Sequence, residues 1–212
     1  MRIFSIFSSI EGEVSLFYQG GLTVFIRCAG CNLRCKYCDT KYALPMDSGE
    51  EMSVDEIVTK VGEFGISRVT ITGGEPLLQK ELFELTRALW GRGYKISVET
   101  NGSMDLIGHG VSGWVVDYKL PSSGEMSEMI TEVFLRPIDF VKFVILDRDD
   151  YEVALVVRRS LIEKGCTAKF AFSPVYGLMD PAQLVSWLVE DRVDGAILNV
   201  QLHKLINLKE SK

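Results

Sequence analysis

The sequence predicts an α/β fold, specifically an incomplete β/α barrel with parallel strands. Short apolar runs alternate with helical stretches along the chain, the pattern of βα units wound around a parallel sheet. About six such steps can be read. A full eightfold barrel takes about 250 residues, and this chain has 212. Polar and glycine-rich motifs recur directly after the strands, where barrels carry their chemistry: residues 31–40, 73–76, 99–102, 117–119 and His203. A doubly wound open sheet also fits the alternation. The convergence of five strand ends on one mouth favours the partial barrel.

The elements follow in order. Leu22 to Arg27 is apolar and aromatic and reads as a strand. Ser53-Val-Asp-Glu56 is a capping box that opens a helix to about Phe64. Arg68 to Thr72 is the next strand, ending in Gly73-Gly74-Glu75-Pro76. Leu78 to Trp90 reads as a helix, with Leu82, Leu85 and Leu89 at helical spacing and Gly91 near its end. Strands are expected at Tyr94 to Val98, Trp114 to Val116 and Phe140 to Leu146. Tyr151 to Lys164 is a helix closed by Gly165, and Lys169 to Phe172 a strand. Asp180-Pro181 supplies a cap and a first-turn proline for a helix to about Glu190, and Ala196 to Val200 is the last strand. No linker, repeat or low-complexity tract interrupts this series, so residues 1–212 read as a single domain.

Composition excludes several classes. A 47% hydrophobic, 25% charged chain of this length can bury a full core. No apolar run approaches a membrane span, and Met1-Arg-Ile-Phe lacks the basic-then-apolar opening of a secretory signal. Five cysteines, an odd number with four of them clustered, suit a reducing cytoplasm better than a disulfide framework. Net charge is −6 with no long basic run, so neither nucleic acid nor a membrane is an expected partner.

The densest chemistry lies in Cys31-Asn-Leu-Arg-Cys35-Lys-Tyr-Cys38. A [4Fe–4S] cluster usually takes four thiolates, one per iron. Three on one loop leave one iron open, as catalytic zinc sites keep an open position for substrate. Cys28 raises a four-thiolate zinc alternative. Paired Cys-x2-Cys units in zinc sites are usually farther apart, however, and Cys28 closes an apolar run, where it reads as a small buried hydrophobe. Gly73 and Gly74 free the backbone to approach a ligand closely, or simply form a βα turn.

The cysteine triplet, with Tyr37 just before its last member, resembles the cluster loop of the radical S-adenosylmethionine (SAM) superfamily. The resemblance implies that the open iron takes the amino and carboxylate groups of SAM. An electron from the cluster then breaks the sulfonium bond to yield a 5'-deoxyadenosyl radical. Gly73-Gly74-Glu75-Pro76 and Glu99-Thr100-Asn101-Gly102 resemble SAM-contacting segments of that superfamily. Lys119, placed after a strand, reads equally as a solvated lysine or as a contact to a SAM or substrate carboxylate. The cofactor contacts so implied are Tyr37, Gly73, Gly74, Glu75, Glu99, Thr100, Asn101 and Lys119.

A narrower resemblance runs through nearly the whole chain. Ser5 to Glu13, Phe25-Ile-Arg27, Gly30 to Ala43, Pro121-Ser-Ser-Gly124, Lys142 to Ile145 and Gln201 to Ile206 are similar to the 7-carboxy-7-deazaguanine synthase family. This implies conversion of 6-carboxy-5,6,7,8-tetrahydropterin to 7-carboxy-7-deazaguanine with loss of ammonia, on the way to queuosine and related nucleosides. It also implies a homodimer, an electron donor such as flavodoxin or ferredoxin, and Mg2+ held by Thr40. Without the resemblance, that hydroxyl would be read as bonding a neighbouring backbone group. The substrate contacts implied are Ile10, Glu11, Gly12, Glu13, Arg27 and His203. Arg27 suits a carboxylate because its planar fork grips two oxygens at once. Glu13 suits the N–H edge of a pterin. His109 is given no role. Two departures stand out: the family's Gln-Gly-Glu-Gly is Glu11-Gly12-Glu13-Val14 here, and its Ser-Pro-Lys is Asp117-Tyr118-Lys119. Two other readings share the cysteine loop: an activase that makes a glycyl radical on a partner protein, and a non-catalytic metal-binding protein.

Overall fold

The computed structural model describes residues 1–106, 110–125 and 135–208; His109 lies outside the described residues. One nine-stranded sheet organises them. Its strands are β1 (Arg2–Ile10), β2 (Leu22–Cys28), β3 (Glu50–Glu51), β4 (Arg68–Gly73), β5 (Lys95–Thr100), β6 (Gly113–Tyr118), β7 (Phe140–Ile145), β8 (Lys169–Pro174) and β9 (Ala196–Leu198). The spatial order is β3-β1-β2-β4-β5-β6-β7-β8-β9, so β3 and β9 are free edges and the barrel is open. From β2 through β9 every neighbouring pair is parallel, as the alternation predicts. The helices are α1 (Val54–Gly62), α2 (Leu82–Gly91), α3 (Arg148–Glu163), α4 (Pro181–Glu190) and the short α5 (Leu202–Leu205). No helix among the described residues is long and apolar enough to cross a membrane.

Four differences from the sequence reading have local causes. β1 and β3 pair antiparallel outside the parallel set. Arg2–Ile10 shows no clean period of two, because most of its residues are half-buried, and β3 is two exposed glutamates. Helix α2 begins at Leu82 rather than Leu78. Residues Pro76–Leu78 instead form a 3-10 turn capped by the Glu75 carboxylate, and Gln79 is extended. The Gln79 side chain accepts from Arg2 N and donates to Ala29 O, which pins it to the strands. Helix α3 starts one turn earlier than Tyr151, because Asp147 caps it by accepting from Asp150 N. His203 lies in α5, not at a strand end.

Each parallel strand alternates faces, with period two. Outward residues such as Val24, Ile26, Val69, Ile71, Ile96 and Val98 are fully buried under the helices. They meet Ile57 and Val61 of α1, Leu85 and Leu89 of α2, Tyr151 and Ala154 of α3, and Leu184 of α4. Inward residues are different in kind. Val115, Phe140 and Ala171 form a small separate apolar cluster with Val14 and Ile197. Polar side chains also point inward, among them Thr70, Thr72, Glu99, Asp117, Lys142 and Ser173, beside Phe25 and Val144. The register sets Arg27 beside Thr72 and Asp117 beside Lys142, so these groups gather at one end of the barrel.

Asp150 fastens the loop after β6 to this frame. It is 0% exposed and accepts from Ser122 N (3.0 Å), Ser122 Oγ and Leu146 N (2.9 Å). Removing it strands buried N–H donors, each costing about 1–3 kcal/mol. Asp150→Ala is therefore expected to lose about 2–4 kcal/mol in urea denaturation of the apoprotein. A loss below about 0.5 kcal/mol would show that the loop is held by something else.

Candidate active site at the barrel mouth

The loop that follows β2 carries Cys31, Cys35 and Cys38, all partly exposed to a mouth cavity of about 510 Å³. Its path is fixed by backbone bonds. Gly30 N donates to Ala43 O (2.8 Å), Cys31 N to Leu44 O (3.1 Å) and Lys36 N to Ser123 O (2.9 Å). Arg34 folds back to donate to the Cys31 and Leu33 carbonyls (2.7 and 2.8 Å). Cys28, by contrast, is 0% exposed, and burial pushes its thiol up to about 12. It belongs to the core, as its apolar run implies. Burial also raises Cys35 and Cys38, while the Lys119 ammonium pulls Cys35 the other way. No three Cys, His, Asp or Glu side chains among the described residues gather closely enough to hold a single metal ion. Three thiols set apart around one cavity fit a multi-iron cluster, in which each thiolate takes its own iron.

The turn after β4 is bonded onto this loop. Gly74 N donates to Cys28 O (2.9 Å) and Glu75 N to Gly30 O (2.8 Å). Gly73 has φ +125°, and a Cβ there would lie 2.3 Å from Cys28 O. A Cβ on Gly74 would lie 1.9 Å from Gly30 O. The close approach these glycines permit is thus first of all to the cysteine loop. Glu75 is the exception among the expected cofactor contacts. It is 0% exposed, does not line the cavity, and spends its carboxylate on Thr100 Oγ1 (2.8 Å), Asn101 N (2.7 Å) and Leu77 N (2.9 Å). It ties the β4 turn to the β5 turn. Asn101 in turn donates to Asn32 Oδ1 (3.0 Å) and approaches Cys31 Sγ (3.7 Å). Gly73, Gly74, Thr100 and Asn101 therefore form one wall beside the thiols, with Tyr37 and Lys119 also lining the cavity. Backbone and amide groups lining a cavity in this way fit the amino and carboxylate groups of SAM.

The opposite wall joins the two ends of the chain. Leu202 N donates to Gly12 O (2.8 Å), and the His203 imidazole occupies the space a side chain at position 12 would need. Glu13 accepts from Lys142 Nζ (2.7 Å), Gln201 Nε2 (2.8 Å) and Asn199 Nδ2 (3.1 Å). Despite burial, the Lys142 ammonium holds its carboxyl below the ordinary range. Lys119 pairs with Asp117 (3.0 Å). Thr40 Oγ1 donates to Asp39 Oδ1 (3.0 Å) and accepts from Arg27 (3.3 Å). Asp39 is itself held by Lys204 Nζ (2.6 Å) and Gln201 Nε2 (3.0 Å). The two neighbouring oxygens of Thr40 and Asp39 are the hard donors that Mg2+ prefers.

Ile10, Glu11, Gly12, Glu13, Arg27, Thr40, Glu99 and His203 all line this cavity. Sequence reasoning overlooked Lys142, Asn199, Gln201, Asp39 and Thr72. One signal was present, since Lys142 is a single charge inside the apolar strand Phe140–Ile145.

Glu11, like Glu99, has no ion-pair partner among the described residues. Its partner is the Thr70 hydroxyl, and burial, with Glu99 and Glu13 nearby, pushes its carboxyl up to about 8. The native state therefore keeps a proton that the unfolded chain, titrating at 4.5, releases. Stability should fall as pH rises from about 4.5 to about 8. In urea denaturation across this window, Glu11→Gln is expected to give a shallower fall than the parent. Equal slopes would mean that Glu11 is ionised in the fold. A second prediction concerns the glycine seam. Gly74→Ala should lower both iron bound per chain and stability, the latter by about 1–3 kcal/mol or more. Unchanged iron content and melting temperature would contradict the close approach.

Comparison with known proteins converges on one family. The radical SAM superfamily profile matches residues 25–109. The chain is 38% identical to a 7-carboxy-7-deazaguanine synthase of Koribacter versatilis, covering 100% of this chain and 99% of that one. It is 36% identical to the Clostridium acetobutylicum protein of the same name, over 94% and 93% of the two chains. The fold superposes on a crystal structure of QueE from Escherichia coli with TM-score 0.75 and 21% identity, covering 94% and 93%. It also matches Streptococcus suis SuiB bound to its precursor peptide SuiA, with TM-score 0.61 and 13% identity over 82% of this chain and 47% of that one. The chain belongs to the 7-carboxy-7-deazaguanine synthase family of radical SAM enzymes.

Proposed function

We propose that this chain converts 6-carboxy-5,6,7,8-tetrahydropterin to 7-carboxy-7-deazaguanine with loss of ammonia, for queuosine and related 7-deazapurines. The observation that carries the reading is a single cavity lined by three cysteine thiols on one wall and by Arg27, Glu13 and His203 on the other. Cys31, Cys35 and Cys38 would hold the [4Fe–4S] cluster. Gly73, Gly74, Thr100, Asn101 and Lys119 would seat SAM, with Tyr37 and Glu99 bordering it. When bound, cluster and SAM supply a radical able to take a hydrogen atom from the substrate.

The protein's own part is orientation and exclusion of water. Arg27 holds the substrate carboxylate. Glu13, anionic and anchored by Lys142, accepts from the N–H edge of the ring. Ile10, Glu11, Gly12 and His203 close the wall beneath it. Thr40 supplies an oxygen to Mg2+, next to Asp39. The polar interior and the family assignment both speak against the glycyl-radical activase. A buried Cys28 thiol speaks against a four-thiolate zinc site. We further propose a single-domain subunit of a cytoplasmic homodimer that receives electrons from flavodoxin or ferredoxin.

Anaerobic reconstitution followed by assay with the carboxytetrahydropterin tests this reading. The parent and Cys28→Ala should bind four irons and form product, with turnover stimulated by Mg2+. The Cys31/Cys35/Cys38 triple-alanine variant should bind no cluster. SAM cleavage without any deazaguanine product would overturn the assigned substrate.

A further inference from the structure

Arg27 is a buried cation without an anion. It is 9% exposed, yet no carboxylate among the described residues lies within salt-bridge distance. Its hydrogen bond among the described residues is the 3.3 Å contact to Thr40 Oγ1. Burying an unpaired charge is costly, and proteins normally supply a counter-ion. Here two aromatic rings take that place. The guanidinium carbon lies 5.5 Å from the centroid of Phe7 and 5.5 Å from that of Tyr42.

Each ring is braced from behind. Phe7 pairs with Phe25 across β1 and β2, their rings stacked at 5.2 Å and 19°. Phe25 and Arg27 are two apart on β2, so both face the same side as Phe7. Tyr42 belongs to the 3-10 turn Lys41–Ala43 that follows the cysteine loop, and it leans on Phe4 at 4.9 Å. Tyr42 is 37% exposed, so core burial does not explain its placement.

We propose that Phe7 and Tyr42 are positioning residues that hold the Arg27 fork as a clamp for a planar carboxylate, and that they thereby set the site's preference for carboxylated heterocycles. The inference rests on the reading that this cavity takes a carboxypterin. Ring faces stabilise a cation through its π surface and leave the in-plane N–H donors free. An acidic partner would occupy the same donors and compete with the ligand. Glu99 senses the Arg27 charge but forms no ion pair with it; its carboxylate accepts from the Thr72 hydroxyl (2.8 Å) instead. The clamp also needs arginine in particular, since a lysine head has no plane for two rings to align.

The test uses the reconstituted holoenzyme and two unreactive probes, pterin-6-carboxylate and pterin, whose dissociation constants are compared. Their ratio reports recognition of the carboxylate alone. The parent should prefer the carboxylated probe. Phe7→Leu and Tyr42→Leu should each lower that ratio about three- to tenfold, the span of a partly desolvated cation–π contact. Tyr42→Phe, which keeps the ring, should stay within about twofold of the parent. Loss of affinity for both probes in parallel would assign the rings to general packing and overturn the proposal. So would an unchanged ratio in both leucine variants, or no preference in the parent. If the ratios behave as expected but the carboxytetrahydropterin is not turned over, the clamp stands and the proposed reaction falls.

Discussion

The site depends on a seam of backbone between the β4 turn and the cysteine loop. Gly74 N to Cys28 O and Glu75 N to Gly30 O are ordinary hydrogen bonds, but they can form only where two chains lie closer than any Cβ allows. Glu75 extends the seam by one strand, because its buried carboxylate takes Thr100 and Asn101 together. Three successive strand ends are thereby locked to one another before any ligand is considered. The thiols and the wall beside them inherit their relative positions from that lock. A residue first read as a cofactor contact is better understood as the bolt that makes the contact surface.

Electrostatics inside the barrel follow from which positions have partners. On the strands and the segment after β1, Glu11, Glu13, Glu99 and Asp117 line the same cavity as Arg27, Lys119 and Lys142. Lys142 satisfies Glu13 and approaches Asp117, Lys119 takes Asp117, and Glu11 and Glu99 are each left with a threonine hydroxyl. Burial, with Glu99 and Glu13 nearby, pushes the Glu11 carboxyl up to about 8, so it holds a proton. A protonated carboxyl offers one donor and one acceptor, the same pattern as a glutamine amide.

Much of this was legible in the sequence. All seven parallel strands carry apolar runs at the expected places, and the capping box at Ser53 and the Asp180-Pro181 start are local signals that structure leaves intact. The antiparallel β1 was not legible, because a strand half-buried on both faces has no period to read. The site residues were legible where they sit in motifs. The roles of Lys142, Asn199 and Gln201 were not, although Lys142 stands out as the single charge in its strand, since they arise from register and from the docking of the C-terminal segment on residues 12–14. The role of Glu75 was hidden for the same reason: its partners are 25 and 26 residues away.

The central claim is that three thiolates hold a cluster whose fourth iron is left for SAM. Mössbauer spectroscopy of the 57Fe-reconstituted protein, with and without SAM, addresses it directly. The account predicts that one iron site in four changes its parameters when SAM is added, and that Cys28→Ala gives the same result. Four iron sites that do not respond to SAM, or a response lost with Cys28, would contradict it.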